Sequence, residues 1–576
     1  MELSSLTTVV VCGREFFAIF ITKASSQQQD NGIAVSNTYE AMLRRENSMF
    51  KVLVSDPISD FGIQKLVDAE DITVVKQTGL SEDELVGIIA DYDALLVRSQ
   101  TRVTARVMEA GKNLKVVGRA GVGVDNIDLQ AATQHGIIVI NAPDGNTITT
   151  CEHAFAMMMA LSRHIPQAYA KTINGVWDRK TFLGVELMNK TLGVLGMGRI
   201  GSEVAKRAKA FGMDIIGYDP FMTEERAEKL GVKLGTVDEI IRAADFLTVH
   251  TPLTPETKHM IARPQFEVMK RGMRIINCAR GGIIDEMALV EAIDEGIVAG
   301  AAFDVFEVEP PQPDHPFLSH PKIIVTPHLG ASTVEAQENV AVDVSEQVLH
   351  ILRNEPFKNA VNMPPVAPAV LNKIQPYFTL AEKLGQFASQ MTKSPILEIL
   401  VNYSGDLAEV DTQTITRHIV KGVLTQHFGS DVNIVNSVHL AKTRDIHIIV
   451  QQSHVAKGFT NLLSVTLKTN TEERLVAGTL LNGYGERIVQ IDKYPVDLSP
   501  EGHLLLISHD DKPGVIGIVG TLLGSNGVNI ATMQVGRKIV GGSAIMVLSV
   551  DKAIPEEVIA KLKESTDIKK AKEIVL

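Results

Sequence analysis

The run Thr191-Leu-Gly-Val-Leu-Gly-Met-Gly-Arg-Ile-Gly201 leaves little freedom about the fold around it. An apolar strand leads into Gly196, Gly198 and Gly201 at G-x-G-x-x-G spacing, and an amphipathic helical stretch follows. A second apolar strand then ends in Asp219. Gly196 permits the tight strand-to-helix turn, Gly198 lets the backbone approach a pyrophosphate, and Gly201 allows close helix–strand packing. The free amides of the helix start then face the phosphates. Asp219 is placed to accept hydrogen bonds from the adenosine ribose and to repel a 2′-phosphate, so the pattern predicts NAD rather than NADP.

The chain of 576 residues is too long for one core and predicts three or four domains. With 45% hydrophobic and 22% charged residues it reads as globular. A net charge of −12 argues against nucleic acid or an anionic membrane as the main partner. Cys12, Cys151 and Cys278 lie far apart and form neither a disulfide framework nor a metal-ligand pattern, which fits a reducing, cytoplasmic setting. No apolar run is long enough to span a bilayer. Residues 1–48 combine an apolar run broken by Arg14 and Glu15 with a polar stretch, and are expected to be a disordered N-terminal extension, with a transit peptide as the alternative.

From Met49 onward β-type runs at 51–55, 73–76, 94–99, 115–120 and 137–141 alternate with amphipathic stretches, which predicts parallel βαβ units. Arg98 and Arg119 fall at the carboxyl ends of two of these strands, where open α/β sheets bind ligands. Gly121 and Gly123 begin a glycine-rich turn, but Asn126 takes the third glycine position, so this first unit is assigned to substrate. Residues 151–163 predict a long apolar helix crossing between two α/β units, with His153 read as packing. Residues 362–368, rich in proline, predict a linker. Beyond it lies a region with strands near 396–403 and 446–451 and no catalytic motif, then a unit of βαββαβ order from Gly502.

The strand ends of the second unit carry the chemistry. Oxidising an alcohol carbon requires a base for the hydroxyl proton, and histidine suits because its ordinary pKa lies near neutrality; a carboxylate beside it fixes the tautomer. A cation must orient the substrate and polarise the nascent carbonyl. His328, Glu309 and Arg280 supply these three parts from three separate loops. Cys278 is read as a small side chain near the cofactor, because hydride transfer needs no covalent nucleophile. Trp177 marks an exposed basic loop with Arg179 and Lys180, read as a subunit or phosphate contact.

On Leu195-Gly-Met-Gly-Arg-Ile-Gly201, Asn277-Cys-Ala-Arg-Gly-Gly282, Asp304-Val-Phe-Glu-Val-Glu-Pro310 and Pro327-His-Leu-Gly-Ala-Ser332, the chain resembles the D-2-hydroxyacid dehydrogenase family. The resemblance is to its long-form members and runs from about Met49 to the C-terminus. It implies Arg280, Glu309 and His328 as the catalytic triad. NAD contacts are implied at Gly196, Gly198, Arg199, Ile200, Gly201, Asp219, Thr251, Cys278, Asp304, His328 and Gly330. Substrate contacts are implied at Arg98, Ser99, Arg119, Gly121 and Arg280. The implied reaction is oxidation of 3-phosphoglycerate to 3-phosphohydroxypyruvate at the entry to serine biosynthesis.

The implied fold is α/β. It comprises a doubly wound substrate-binding domain (49–148 and 328–362), a Rossmann NAD-binding domain (149–327), an α+β intervening domain (370–498) and a C-terminal ACT domain (502–576). Asp511 and Asn529 are implied regulatory residues for L-serine, and the assembly is implied to be a homodimer or homotetramer. Val122 departs from the threonine that some relatives carry near the nicotinamide. Two alternatives remain open from the sequence: a glyoxylate or hydroxypyruvate reductase of the same family, and a non-enzymatic NAD-sensing corepressor.

Overall fold

A computed structural model describes residues 50–576, so the extension expected at 1–48 lies outside the described residues. Four sheets organise the chain. The first joins β1 (Phe50–Val54), β2 (Ile72–Lys76), β3 (Ala94–Val97), β4 (Val116–Arg119) and β5 (Ile138–Asn141) in the order β2-β1-β3-β4-β5, all parallel. The inner strands β3 and β4 are short apolar runs buried on both faces, as parallel strands covered by helices require, while the edge strand β2 is only half-buried. One face is covered by the helix Val334–Leu352, whose Val340, Val344 and Val348 pack against Val52, Leu96 and Val116. Its close approach to the helix Asp60–Val67 depends on Gly62, where an added Cβ would lie 2.1 Å from the Ala341 methyl carbon.

The helix Thr147–Arg163 leads from the first sheet to the second, which joins β6 (Thr191–Leu195), β7 (Asp214–Tyr218), β8 (Lys233–Leu234), β9 (Phe246–Val249), β10 (Met273–Asn277), β11 (Val298–Phe303) and β12 (Ile323–Val325). Their order is β12-β11-β10-β9-β6-β7-β8. The chain winds outward from β6 in both directions, so the gap between β6 and β9 is the topological switch point at which such sheets bind ligands. Both α/β sheets are doubly wound and parallel.

The third sheet, β13 (Ile396–Gly405), β14 (His447–Ser453), β15 (Asn461–Thr469), β16 (Glu473–Leu481), β17 (Gly485–Ile491) and β18 (Tyr494–Leu498), is largely antiparallel and carries its helices on one face. The fourth, β19 (His503–Asp510), β20 (Ile530–Arg537), β21 (Ser543–Val550) and β22 (Ile568–Val575), has the βαββαβ order, with helices Val515–Ser525 and Glu556–Glu564 between strands. Leu504, Ile545, Val547 and Ile574 of this unit join one core with Val465, Val476 and Ile488 of the third sheet. The proline-rich segment differs from a free linker at its start. The Asn362 side chain accepts from the Val139 amide (3.0 Å) and donates to the Ile137 carbonyl (2.9 Å), which ties it to the edge strand β5. Among the described residues no helix is long and apolar enough to cross a membrane.

At the switch point, His250 follows β9 half-buried, with its Nδ1 closed to solvent. Its Nε2 meets Thr248 Oγ1 at 2.9 Å, and its Nδ1 has no partner among the described residues. Burial pushes this imidazole down to about 4 from an ordinary 6.5. The folded chain thus refuses a proton that the unfolded chain accepts. The ring costs no stability above pH 6.5 and an increasing amount as the pH falls from 6.5 towards 4. His250→Gln is therefore predicted to flatten the decline of Tm across that window, measured by calorimetry; a decline as steep as in the parent protein would contradict this.

Candidate active site

The glycine-rich turn is shaped for a phosphate group. Gly196 has a φ of +93°, and a Cβ there would meet the His250 carbonyl oxygen at 2.6 Å. A Cβ on Gly201 would lie 2.0 Å from the Gly196 oxygen, whereas one on Gly198 would meet nothing within 4 Å. The first and third positions are thus closed by packing, while the second opens to space at the start of the helix Arg199–Ala210, with Ile200 in its first turn. Asp219 follows β7, the neighbour of β6, and the Thr251 hydroxyl follows β9, buried without a partner among the described residues. Arg199 reaches across to Asp144 at 2.5 Å, linking this turn to the loop after β5. An open cradle, a carboxylate at the end of the neighbouring strand and an orphaned hydroxyl around one switch point fit a bound dinucleotide.

Arg280, Glu309 and His328 follow β10, β11 and β12, three adjacent parallel strands, and so rise from one edge of the sheet. His328 Nδ1 lies 2.8 Å from Glu309 Oε2, while Glu309 Oε1 accepts from the Phe306 amide at 3.1 Å. Burial alone would raise the Glu309 carboxyl, but the bond from His328, the Phe306 amide and the His328 charge outweigh it and hold the group low. The Arg280 loop abuts the Glu309 loop through Gly281, where a Cβ would lie 1.9 Å from the Phe306 oxygen. Arg280 itself faces Asp125 at 3.6 Å, across from the first sheet.

Two residues implied as cofactor contacts, Asp304 and Gly330, are also bonded to the loop that carries His328. Asp304 is closed to solvent: its Oδ1 accepts from Thr326 Oγ1 (2.6 Å) and the Leu329 amide (2.7 Å), and its Oδ2 from the Gly330 amide (2.8 Å). Gly330 is buried too and accepts from Thr150 Oγ1 at 2.9 Å. Both groups thus serve the loop that carries His328, whose own amide donates to the Asp304 carbonyl at 2.8 Å. That loop holds His328 at a φ of +54°, a left-handed conformation costly for a side chain with a Cβ. Cys278 lies beside Asp304, and burial pushes its thiol well up, which leaves a small inert side chain.

His153, read from the sequence as packing, is polar in its surroundings: its Nε2 lies 3.1 Å from Asp304 Oδ1 and 3.2 Å from Thr326 Oγ1. Asp56, at the end of β1, was also missed. Its carboxylate accepts from the amides of Arg98 (2.6 Å), Gln100 (3.2 Å) and Thr101 (3.0 Å), and so sets the turn that presents Arg98 and the exposed Ser99. The signal available was an acid directly after a buried apolar strand and before Pro57. Arg119 completes the wall: its Nε donates to the Arg98 carbonyl at 3.2 Å, and its Nη1 is buried without a partner. Burial pushes this guanidinium down to about 10, the charges of Arg280 and Arg98 add to the effect, and Asp125 and Asp56 oppose it. Crowded guanidinium groups with an unpaired donor call for an anion. Gly121 turns beside Arg119, and Asn141 Nδ2 holds the next carbonyl, that of Val122, at 2.5 Å.

The remaining expected residues lie elsewhere. Asp511, in the βαββαβ unit, accepts from Arg537 Nη1 at 2.9 Å and the Gly541 amide at 3.0 Å, and Asn529 donates to Asp551 at 2.8 Å. Trp177 stands 82% exposed on its loop, next to the Asp178 carboxylate that caps Thr181 and pairs with Lys171.

Comparison with known proteins agrees with this geometry. Residues 155–330 match the D-isomer specific 2-hydroxyacid dehydrogenase NAD binding domain, 373–492 the D-3-phosphoglycerate dehydrogenase intervening domain, and 503–566 the ACT domain. The D-3-phosphoglycerate dehydrogenase of Bacillus subtilis is 49% identical over 529 residues, which span 92% of this chain and 100% of that protein. The enzyme of that name from Methanocaldococcus jannaschii is 47% identical, over 90% of this chain and 99% of its own. A crystal structure of a Thermus thermophilus protein superposes with a TM-score of 0.51 and 34% identity, covering 54% of this chain and 100% of that one. The chain belongs to the D-3-phosphoglycerate dehydrogenase family of D-isomer specific 2-hydroxyacid dehydrogenases.

Proposed function

We propose that this protein is an NAD-dependent dehydrogenase that oxidises 3-phospho-D-glycerate to 3-phosphohydroxypyruvate, the first step towards L-serine. The observation that carries the reading is the His328–Glu309 pair, rising with Arg280 from one edge of the NAD-binding sheet opposite the Arg98 and Arg119 wall. Glu309 accepts the Nδ1 proton of His328, which leaves Nε2 with a free lone pair as the base for the substrate hydroxyl. As that proton arrives, the imidazolium forms beside a carboxylate already ionised, so no new charge is left unpaired. Arg280 binds the substrate carboxylate and polarises the nascent carbonyl. NAD, when bound, accepts the hydride that leaves the carbinol carbon. Arg98, Ser99, Arg119 and the Gly121 turn hold the substrate anion.

The catalytic, cofactor and substrate roles of these residues belong to the proposal, as does the division of the chain at 148 and 328, which would let the two α/β units close on the substrate. We propose further that the protein is a homodimer or homotetramer. The helix Ile165–Ile173 has no buried residue, and Tyr169, Ile173, Trp177 and Leu183 are exposed beside one another in sequence, an apolar surface that a second copy would cover. The loop bearing Arg179 and Lys180 lies in the same exposed segment of the chain and would face the partner. L-serine is the proposed ligand of the ACT domain, near Asp511 and Asn529.

His328→Ala and Arg280→Ala are predicted to lower kcat by about 10²–10⁴-fold while leaving NADH affinity, read by fluorescence titration, within about twofold. Unchanged rates would refute the assignment. Arg98→Met is predicted to raise KM for 3-phosphoglycerate by about ten- to a hundredfold, the loss of a charge-assisted hydrogen bond, with KM for NAD unchanged. A parent enzyme that favours unphosphorylated glycerate over 3-phosphoglycerate would instead identify a glyoxylate or hydroxypyruvate reductase.

A further inference from the structure

The loop 326–330 places the catalytic imidazole, yet it has few bonds of its own. Its only internal backbone bond is from the His328 amide to the Thr326 carbonyl at 3.0 Å among the described residues. Besides the Thr326 amide on the Phe303 carbonyl (3.0 Å) and the His328 ring on Glu309 (2.8 Å), four of its bonds converge on Asp304, which receives the Thr326 hydroxyl and the Leu329 and Gly330 amides on its carboxylate, and the His328 amide on its carbonyl. Every one of those donors is neutral and belongs to the loop being positioned. A buried carboxylate bound only by the loop would be free to turn with it.

One contact comes from outside. His153 sits in the helix Thr147–Arg163, a rigid element packed under β10 and β11 through Cys151, Ala154, Met157 and Leu161. Its Nε2 is hydrogen-bonded to Thr326 Oγ1 (3.2 Å) and lies 3.1 Å from Asp304 Oδ1, and no other side chain among the described residues reaches that carboxylate oxygen from beyond the loop. The same helix adds Thr150, whose hydroxyl donates to the Gly330 carbonyl at 2.9 Å, so it grips the loop at both ends. We infer that His153 is a positioning residue: its Nε2–H anchors the Asp304 carboxylate and the Thr326 hydroxyl to this helix, and thereby fixes the loop that holds His328 in reach of the substrate hydroxyl. The helix also connects the two α/β units, so the imidazole would be set in register with the substrate wall rather than with its own sheet alone. The inference rests on the reading of His328 as the base.

The test compares His153→Leu, which fills the space without a donor, with His153→Gln, whose amide nitrogen can restore one, and includes His328→Ala as a control. Each variant is assayed for kcat with 3-phosphoglycerate, for NADH affinity and for Tm. His153→Leu is expected to lose about ten- to a hundredfold in kcat with NADH affinity within about threefold, and His153→Gln to regain most of that loss. A folded His153→Leu with kcat within about twofold of the parent overturns the inference, and so do equal losses in both variants, because the donor is then not the lost feature. If His153→Leu does not fold, Thr326→Val removes the neighbouring donor at the same volume. It is expected to show the same split, and parental kcat in that variant overturns the inference. Failure of the catalytic reading shows separately, as activity that survives in His328→Ala.

Discussion

The structure depends on one buried carboxylate. Asp304 lies just past the end of β11 with no solvent contact, and it gathers the loop after β12 around itself. Burial alone would drive such a group towards its neutral form. The bonds from His153, Thr326 and the Leu329 amide outweigh that and keep it below the usual carboxylate range. A group that must stay ionised to satisfy its donors makes the loop all-or-none: the bonds stand together, and with them the left-handed turn at His328. The strain of that turn, about 1–3 kcal/mol for a residue of this kind, is tolerable only because the surrounding bonds over-determine it.

A second carboxylate plays the same part in the facing unit. Asp56, after β1, collects the amides of Arg98, Gln100 and Thr101 and so presents the arginine wall. A third, Glu286, is bonded to the Glu307 amide at 2.7 Å and to His315 at 2.9 Å, and braces the segment that carries Glu309. Arg98, Glu309 and His328 therefore each stand on a loop shaped by a buried acid, whereas the Arg280 loop is held by the buried Asn277 side chain. The acids absorb the amide donors that would otherwise be unsatisfied, and the exposed groups are left free to meet substrate.

Much of this was legible in the sequence. The five strands of the first sheet lie within about two residues of the apolar runs that predicted them, because parallel strands buried on both faces must be continuous stretches of Val, Ile and Leu. The glycine fingerprint predicted the switch point, since each glycine answers a separate steric demand. Arg280, Glu309 and His328 were legible as strand-end residues. The supporting layer was not. His153 sits in a run of alanines and methionines where helical periodicity predicts packing, and only the tertiary contact with Thr326 shows otherwise. Asp304 and Gly330 stood out in the sequence at a strand end and in the loop after the next strand, but their bond to each other did not, because it depends on how a loop closes, which no local pattern encodes. Asn362 likewise looked like part of a linker, because its partners on β5 lie far away in sequence.

The central claim, that Asp304 holds the His328 loop in place, is tested most directly by the crystal structure of Asp304→Asn. The substitution keeps the size of the group but turns one acceptor into a donor that must oppose a loop donor or the His153 ring. The account predicts that residues 326–330 move, that His328 leaves its left-handed conformation, and that the 2.8 Å bond between His328 and Glu309 is lost. An Asp304→Asn structure in which that bond and that turn persist unchanged would contradict it.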